Sequence, residues 1–113
     1  MIQSCRDIET IQSRFLEGPD RLEAAIDGLS NRGLDLALNE DSWTIRQLVH
    51  HITDGDDLWK TAIKAALGSS RGSFTLQWYW SKPQTEWVKI WRYGSRAIQP
   101  SLATFHALSL IHI

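Results

Sequence analysis

Ser42-Trp43-Thr44-Ile45-Arg46-Gln47-Leu48-Val49-His50-His51-Ile52-Thr53-Asp54-Gly55-Asp56-Asp57-Leu58-Trp59 begins the clearest helix in the chain. Thr44 and Gln47 have the spacing of a capping box, in which the hydroxyl and the amide each satisfy an unpaired N–H at the helix start. Trp43, just before the cap, and Leu48, at the fourth helical position, form a hydrophobic staple. Ile45, Leu48, Val49, Ile52, Trp59, Ile63 and Ala66 fall on one stripe at helical spacing, and Gly68 supplies a stop. The spacing predicts a helix from Thr44 to about Leu67. Adjacent histidines and three acids lie in its middle turns. Imidazole and carboxylate in a core-forming helix are costly unless a metal ion or a polar network compensates them, so this stretch carries most of the functional signal.

Upstream, Ile8, Ile11, Phe15, Leu22, Ala25, Ile26 and Leu29 recur at helical spacing, predicting a helix from Asp7 to about Leu29 that Gly18-Pro19 interrupts or kinks. Gly28 and Ser30-Asn31-Arg32-Gly33 supply stop signals, and Leu34–Asp41 reads as a loop. Downstream, Ser69–Ser81 reads as a loop with a short extended piece over Phe74–Trp80. Ser81 and Gln84 make a second candidate capping box, with Pro83 in the first turn of a short helix over Lys82–Trp91. A further helix starts near Pro100. Long amphipathic helices and no alternating strands predict an all-α helical bundle.

With 113 residues, the chain is sized for one domain with a modest core. A net charge of -1 provides no basic face for nucleic acid. No segment has the roughly 18 uninterrupted apolar residues of a membrane span. Met1–Asp7 has no apolar signal-peptide core, and the lone Cys5 allows no internal disulfide. A cytoplasmic setting is expected, with no membrane and no nucleic acid as partner. No G-x-S-x-G and no Gly-rich phosphate loop occurs.

At about 100° per residue, His51 lies at the flank of the apolar stripe, His50 nearly opposite its centre and facing solvent, and Asp56 near the core. Asp54, three residues after His51, is placed to accept from that imidazole, as the companion of a metal-bound histidine does. The bland alternative, a hydrogen-bonded boundary histidine, remains open. One histidine and two acids fall short of the ligands a zinc site needs, and His106 and His112 lack the i, i+4 spacing of a helical pair. Arg46 and Gln47 read as surface and cap. Trp87 and Trp91 read as packing, with an aromatic wall near His51 as the functional alternative.

Trp43-Thr44-Ile45-Arg46-Gln47-Leu48-Val49-His50-His51-Ile52-Thr53-Asp54, with Asp56 beyond it, resembles the second-helix signature of the DinB-like superfamily, especially its YfiT-type metal-dependent hydrolases. Pro19–Leu29 looks like that family's first helix and Ser101–Phe105 like the start of its third. The resemblance implies a four-helix bundle holding a divalent metal, zinc or nickel, on three histidines. His51 matches one of them. The other two belong to an H-x-x-x-H pair on a last helix that this chain lacks. It further implies hydrolysis of a small molecule, or transfer of a low-molecular-weight bacterial thiol, with Asp54 and Asp56 as the candidate catalytic acids and His51 as the metal ligand.

Leu108-Ser109-Leu110-Ile111-His112-Ile113 is what CTGTCTCTTATACACATC encodes, a transposase end used in sequencing libraries. The expectation is a partial domain over 1–107 with a non-native tail over 108–113. Such a fragment is expected to bind metal weakly or not at all and to be inactive. The rival expectation is a non-catalytic helical module that binds a partner helix or homodimerises through its apolar groove.

Overall fold

The computed structural model describes residues 5–110. Met1–Ser4 and Ile111–Ile113, His112 among them, lie outside the described residues. Every regular element within that range is a helix: α1 (Cys5–Ile26), the single turn α2 (Asn31–Leu34), α3 (Ile45–Gly68), the single turn α4 (Gln77–Trp80), α5 (Gln84–Ile90) and α6 (Gln99–Ser109). Among the described residues, no helix is long and apolar enough to cross a membrane.

α3 begins as its sequence dictates. The Thr44 hydroxyl accepts from the Gln47 amide, and the Gln47 side chain accepts from the Thr44 N–H at 2.8 Å, closing the capping box. α1 ends at Ile26 because Gly28 takes a φ of 76°, the left-handed conformation that glycine adopts without a Cβ clash. Contrary to the expected interruption, α1 runs through Pro19, whose ring is fully buried. At the neighbouring Gly18 a Cβ would lie 3.7 Å from the ring of Phe105 on α6, an ordinary contact distance, so this packing does not require glycine.

Residues 35–41 form a loop as expected, but helical turns form at Asn31–Leu34 and Gln77–Trp80. Ser30 caps α2 by accepting from the Gly33 N–H, and Phe74–Trp80 is not extended, since Gln77–Trp80 forms a helical turn. The second capping box does not form. Pro83 is the N-cap of α5, and the Ser81 hydroxyl instead donates to the Trp78 carbonyl. Beyond α5, Arg92 at φ 55° reverses the chain and carries Tyr93 and Arg96 back onto α3.

α6 packs against both α3 and α1, and α2 packs against the start of α3. Leu34, Val49 and Ile98 form the buried centre, with Leu22, Ile26, Ile45 and Leu102 around it. This packing covers only Ile45 and Val49 of the apolar stripe of α3. Leu48, Ile52, Trp59 and Ile63 are 41–52% exposed, while Arg46, Val49, His50, Thr53 and Lys60 are buried. The buried face is turned roughly 100° from the stripe. The bundle is correspondingly open. Its radius of gyration is 16.3 Å, against about 13 Å for a compact chain of this length.

Candidate functional site

Two faces of α3 carry its polar residues, and each has its own surroundings. On the buried face, His50 is fully enclosed. Its Nε2 lies 3.0 Å from the Arg96 carbonyl, and its Nδ1 lies 2.7 Å from the Ser101 Oγ. A carbonyl only accepts, so Nε2 carries the proton. Burial pushes the His50 pKa below 6.5, against the upward pull of its bond to the Arg96 carbonyl. The neutral ring therefore accepts the Ser101 hydroxyl proton at Nδ1. Beside it, Thr53 donates to the carbonyls of Val49 and Ser101. Arg46 binds Asp35, Asn31 and the Arg96 carbonyl at 2.8, 3.1 and 3.0 Å. This polar network ties α2, the 93–96 turn and the start of α6 to α3.

The expectation that His50 faces solvent and Arg46 lies at the surface is thus overturned. Apolar spacing located one stripe, but of it only Ile45 and Val49 reach the core, and the polar row beside them makes the hydrogen bonds to the other segments. Arg46, His50 and Thr53 are themselves at i, i+4 and i+7, a periodicity that a search for apolar residues passes over.

His51 occupies the other face. Its ring stands edge-on to Trp43 with centroids 4.8 Å apart, and neither ring nitrogen has a hydrogen-bond partner among the described residues. Burial lowers its pKa and the nearby Asp54 carboxylate raises it, with burial the larger effect. The ring lines a cavity of about 350 Å³ walled by Trp59, Leu76, Tyr79 and Trp80, with Lys82 and Gln84 at its edge. A second cavity of about 380 Å³ is lined by Asp54, Asp57, Trp78, Trp91 and Arg96. Leu58 borders both, so the two form adjoining parts of one cleft between α3 and the aromatic segment.

Asp54 does not orient His51 as expected. Its Oδ2 accepts the Tyr93 hydroxyl at 2.5 Å and lies 3.8 Å from the Arg96 guanidinium. Tyr93 in turn stacks on His50, with centroids 5.6 Å apart. Burial and the hydrogen bond to Asp54 push the Tyr93 pKa well above its usual value, so the phenol stays protonated as the donor. Asp54 therefore joins the two faces, reaching the buried network through Tyr93 while its carboxylate lines the cleft. Asp56 lines neither cavity. It pairs with Lys60 at 2.9 Å, and the Lys60 ammonium sits 4.2 Å from the Phe15 ring centroid on α1. The second oxygen of Asp56 is buried without a hydrogen-bond partner among the described residues.

Trp87 and Trp91 stack with centroids 4.7 Å apart, and Tyr79 lies 5.8 Å from Trp87. Trp91 and Tyr79 thus serve both as packing and as cleft wall. Of the two tryptophans expected either to pack or to wall a pocket near His51, Trp87 and Trp91 both pack, neither lines the cavity beside His51, and Trp91 lines the adjoining one.

The match to known proteins covers the same elements. Residues 14–109 match the model of the DinB superfamily. This chain belongs to the DinB superfamily. It is 26% identical over 102 residues to the protein of Geobacillus thermodenitrificans (strain NG80-2) named "Putative metal-dependent hydrolase". That alignment covers 90% of this chain and 54% of the relative, so the chain spans about half the relative's length. No solved structure matches it.

For a DinB superfamily member, the placing of metal-type donors is informative. Asp20 and Glu23 of α1 and His106 of α6 are the one group of three whose ligand atoms lie within 4.8 Å of one another among the described residues. This mixed carboxylate and imidazole set suits a divalent cation. His106 already contacts Glu23 at 2.7 Å. The sequence did not reveal this group because its members come from helices more than 80 residues apart. His51 is not part of such a group and offers a single donor.

Proposed function

We propose that this chain is part of a divalent-metal-dependent hydrolase acting on a small molecule, with the cleft between α3 and the aromatic segment as its site. The observation that carries this is His51: a neutral imidazole without a hydrogen-bond partner, opening into an aromatic-walled cavity. In this proposal His51 contributes one donor, and the others come from sequence outside these 113 residues. A divalent ion held there would supply Lewis-acid polarisation and an activated nucleophile at neutral pH. Asp54, held by Tyr93 and flanked by Arg96, supplies a fixed negative charge beside the cleft. Asp56, paired with Lys60, takes a structural part instead. Transfer of a low-molecular-weight bacterial thiol, with a thiolate replacing the hydroxide nucleophile, is the finer variant of the same chemistry. The setting proposed for it is the cytoplasm.

Calorimetry with zinc and nickel tests this on the chain, on a form extended to the relative's length, and on His51→Ala and His106→Ala variants of each. Binding by the extended form that His51→Ala abolishes supports the proposal. Loss with His106→Ala alone moves the metal to the α1–α6 group. No binding by either form overturns the metal dependence.

The exposed apolar stripe of α3 favours a second reading, a non-catalytic helical module that pairs with a second copy or a partner helix. A stable dimer with no metal binding in either form is its signature.

A further inference from the structure

Gly55 stands in the middle of α3, where glycine is a poor helix former because it loses more backbone freedom than alanine. Helical glycines are often kept because a neighbouring element packs against them. Here that reason is absent: a Cβ built on Gly55 would meet no atom within 4 Å. The space above it is instead the cavity beside His51. Its volume, about 350 Å³, lies at the lower end of the range for small-molecule sites, roughly 300–1,000 Å³. Trp59, Tyr79 and Trp80 are among its lining residues. Flat apolar ligands gain most from such rings, through offset or edge-on contacts.

The charges around the cavity are one-sided. Lys82 is the one Lys, Arg, Asp or Glu side chain among its lining residues, and no carboxylate borders it. The Lys82 ammonium sits 6.0 Å from the Trp87 ring centroid and has no ion-pair partner among the described residues. Asp54 and Asp57 face the adjoining cavity on the other side of Leu58.

We propose that the cavity beside His51 binds a small molecule with a flat apolar body and a single anionic group, the body over Gly55 between the aromatic walls and the anion at Lys82. This names the substrate class of the cleft and rests on its being the site. Binding needs no metal, so the two proposals fail separately.

The test uses metal-free protein and two probes with the same ring system and opposite charge, 1-naphthoate and 1-naphthylmethylamine, titrated by calorimetry. The expected result is saturable binding of the naphthoate, at least about fivefold tighter than the amine. Lys82→Gln should weaken the naphthoate by roughly fivefold and should not weaken the amine, which loses a repulsive neighbour. Gly55→Leu, which fills the floor of the cavity, should abolish binding of both while the far-ultraviolet circular dichroism stays that of wild type. If Gly55→Leu does not fold, the charge discrimination and its loss in Lys82→Gln decide the matter. No saturable binding, equal affinity for both probes, or a folded Gly55→Leu that binds as well as wild type overturns the proposal. Naphthoate binding that persists where zinc and nickel fail to bind the extended form would leave this site standing and remove only the metal.

Discussion

His50 is sealed in a hydrogen-bonded network, and His51, the next residue, opens into a cavity. Truncating His50 leaves the Ser101 hydroxyl and the Arg96 carbonyl without this partner and opens a void beside Tyr93. His50→Ala should therefore cost about 2–4 kcal/mol of stability, read from the midpoint of urea unfolding. His51→Ala, which breaks no described hydrogen bond, should cost less. A larger loss from His51 would mean that the roles of the two rings are exchanged. Burial also sets the sign of the pH dependence. Both histidines have folded pKa values below the 6.5 of the free side chain. As pH falls below 6.5, the unfolded chain binds protons first. Stability is thus fully present above that value and is lost as pH falls through the window down to the folded pKa values. The urea midpoint should drop between pH 7.5 and 5.5, and replacing both histidines by glutamine should shrink the drop. An undiminished drop in that variant would assign the effect to other groups.

At the scale of elements, helix termini were the most legible features. The Thr44–Gln47 capping box is local chemistry, set by residues three apart, and forms as its spacing requires. Thr44→Ala should cost about 1 kcal/mol. Ser81→Ala should stay within about 0.5 kcal/mol, because the corresponding box at α5 is not made. Chemical denaturation of the two variants side by side checks this, and equal losses would contradict it. Gly55→Ala should raise stability by about 0.5–1 kcal/mol, since the added methyl meets no atom and the helix gains propensity. A lower melting temperature for that variant would mean the methyl is obstructed. The helical turn over Gln77–Trp80 was not legible, because aromatic residues favour strands. The stacking of Tyr79 with Trp87 and Trp91 settles it, and those partners lie on later elements.

At the scale of the whole molecule, the open bundle leaves apolar surface uncovered. The accessible surface is 8465 Å², against about 6,300 Å² for a compact monomer of this mass. Leu48, Ile52, Trp59 and Ile63 on α3 and Ile8, Ile11 and Phe15 on α1 are all at least 41% exposed. Surfaces of this kind favour association. The chain should sediment as a concentration-dependent oligomer and bind an apolar dye, and Ile52→Glu with Ile63→Glu should reduce both. A monomer that binds no dye at any concentration would contradict this.

The helical class, the limits of α3 and its cap, and the motif that marks the family were legible in the chain because each depends on residues a few positions apart. The choice of the face of α3 that is buried was not. Periodicity ranks faces by apolar content, yet the buried face joins Val49 to Arg46, His50 and Thr53, whose partners Asp35, Arg96 and Ser101 come from three other segments. The same holds for Asp54, drawn to Tyr93, for the Asp20, Glu23 and His106 group, and for the cavity over Gly55. A hydrogen bond or a cavity exists only once distant segments meet, so folding in three dimensions decided them.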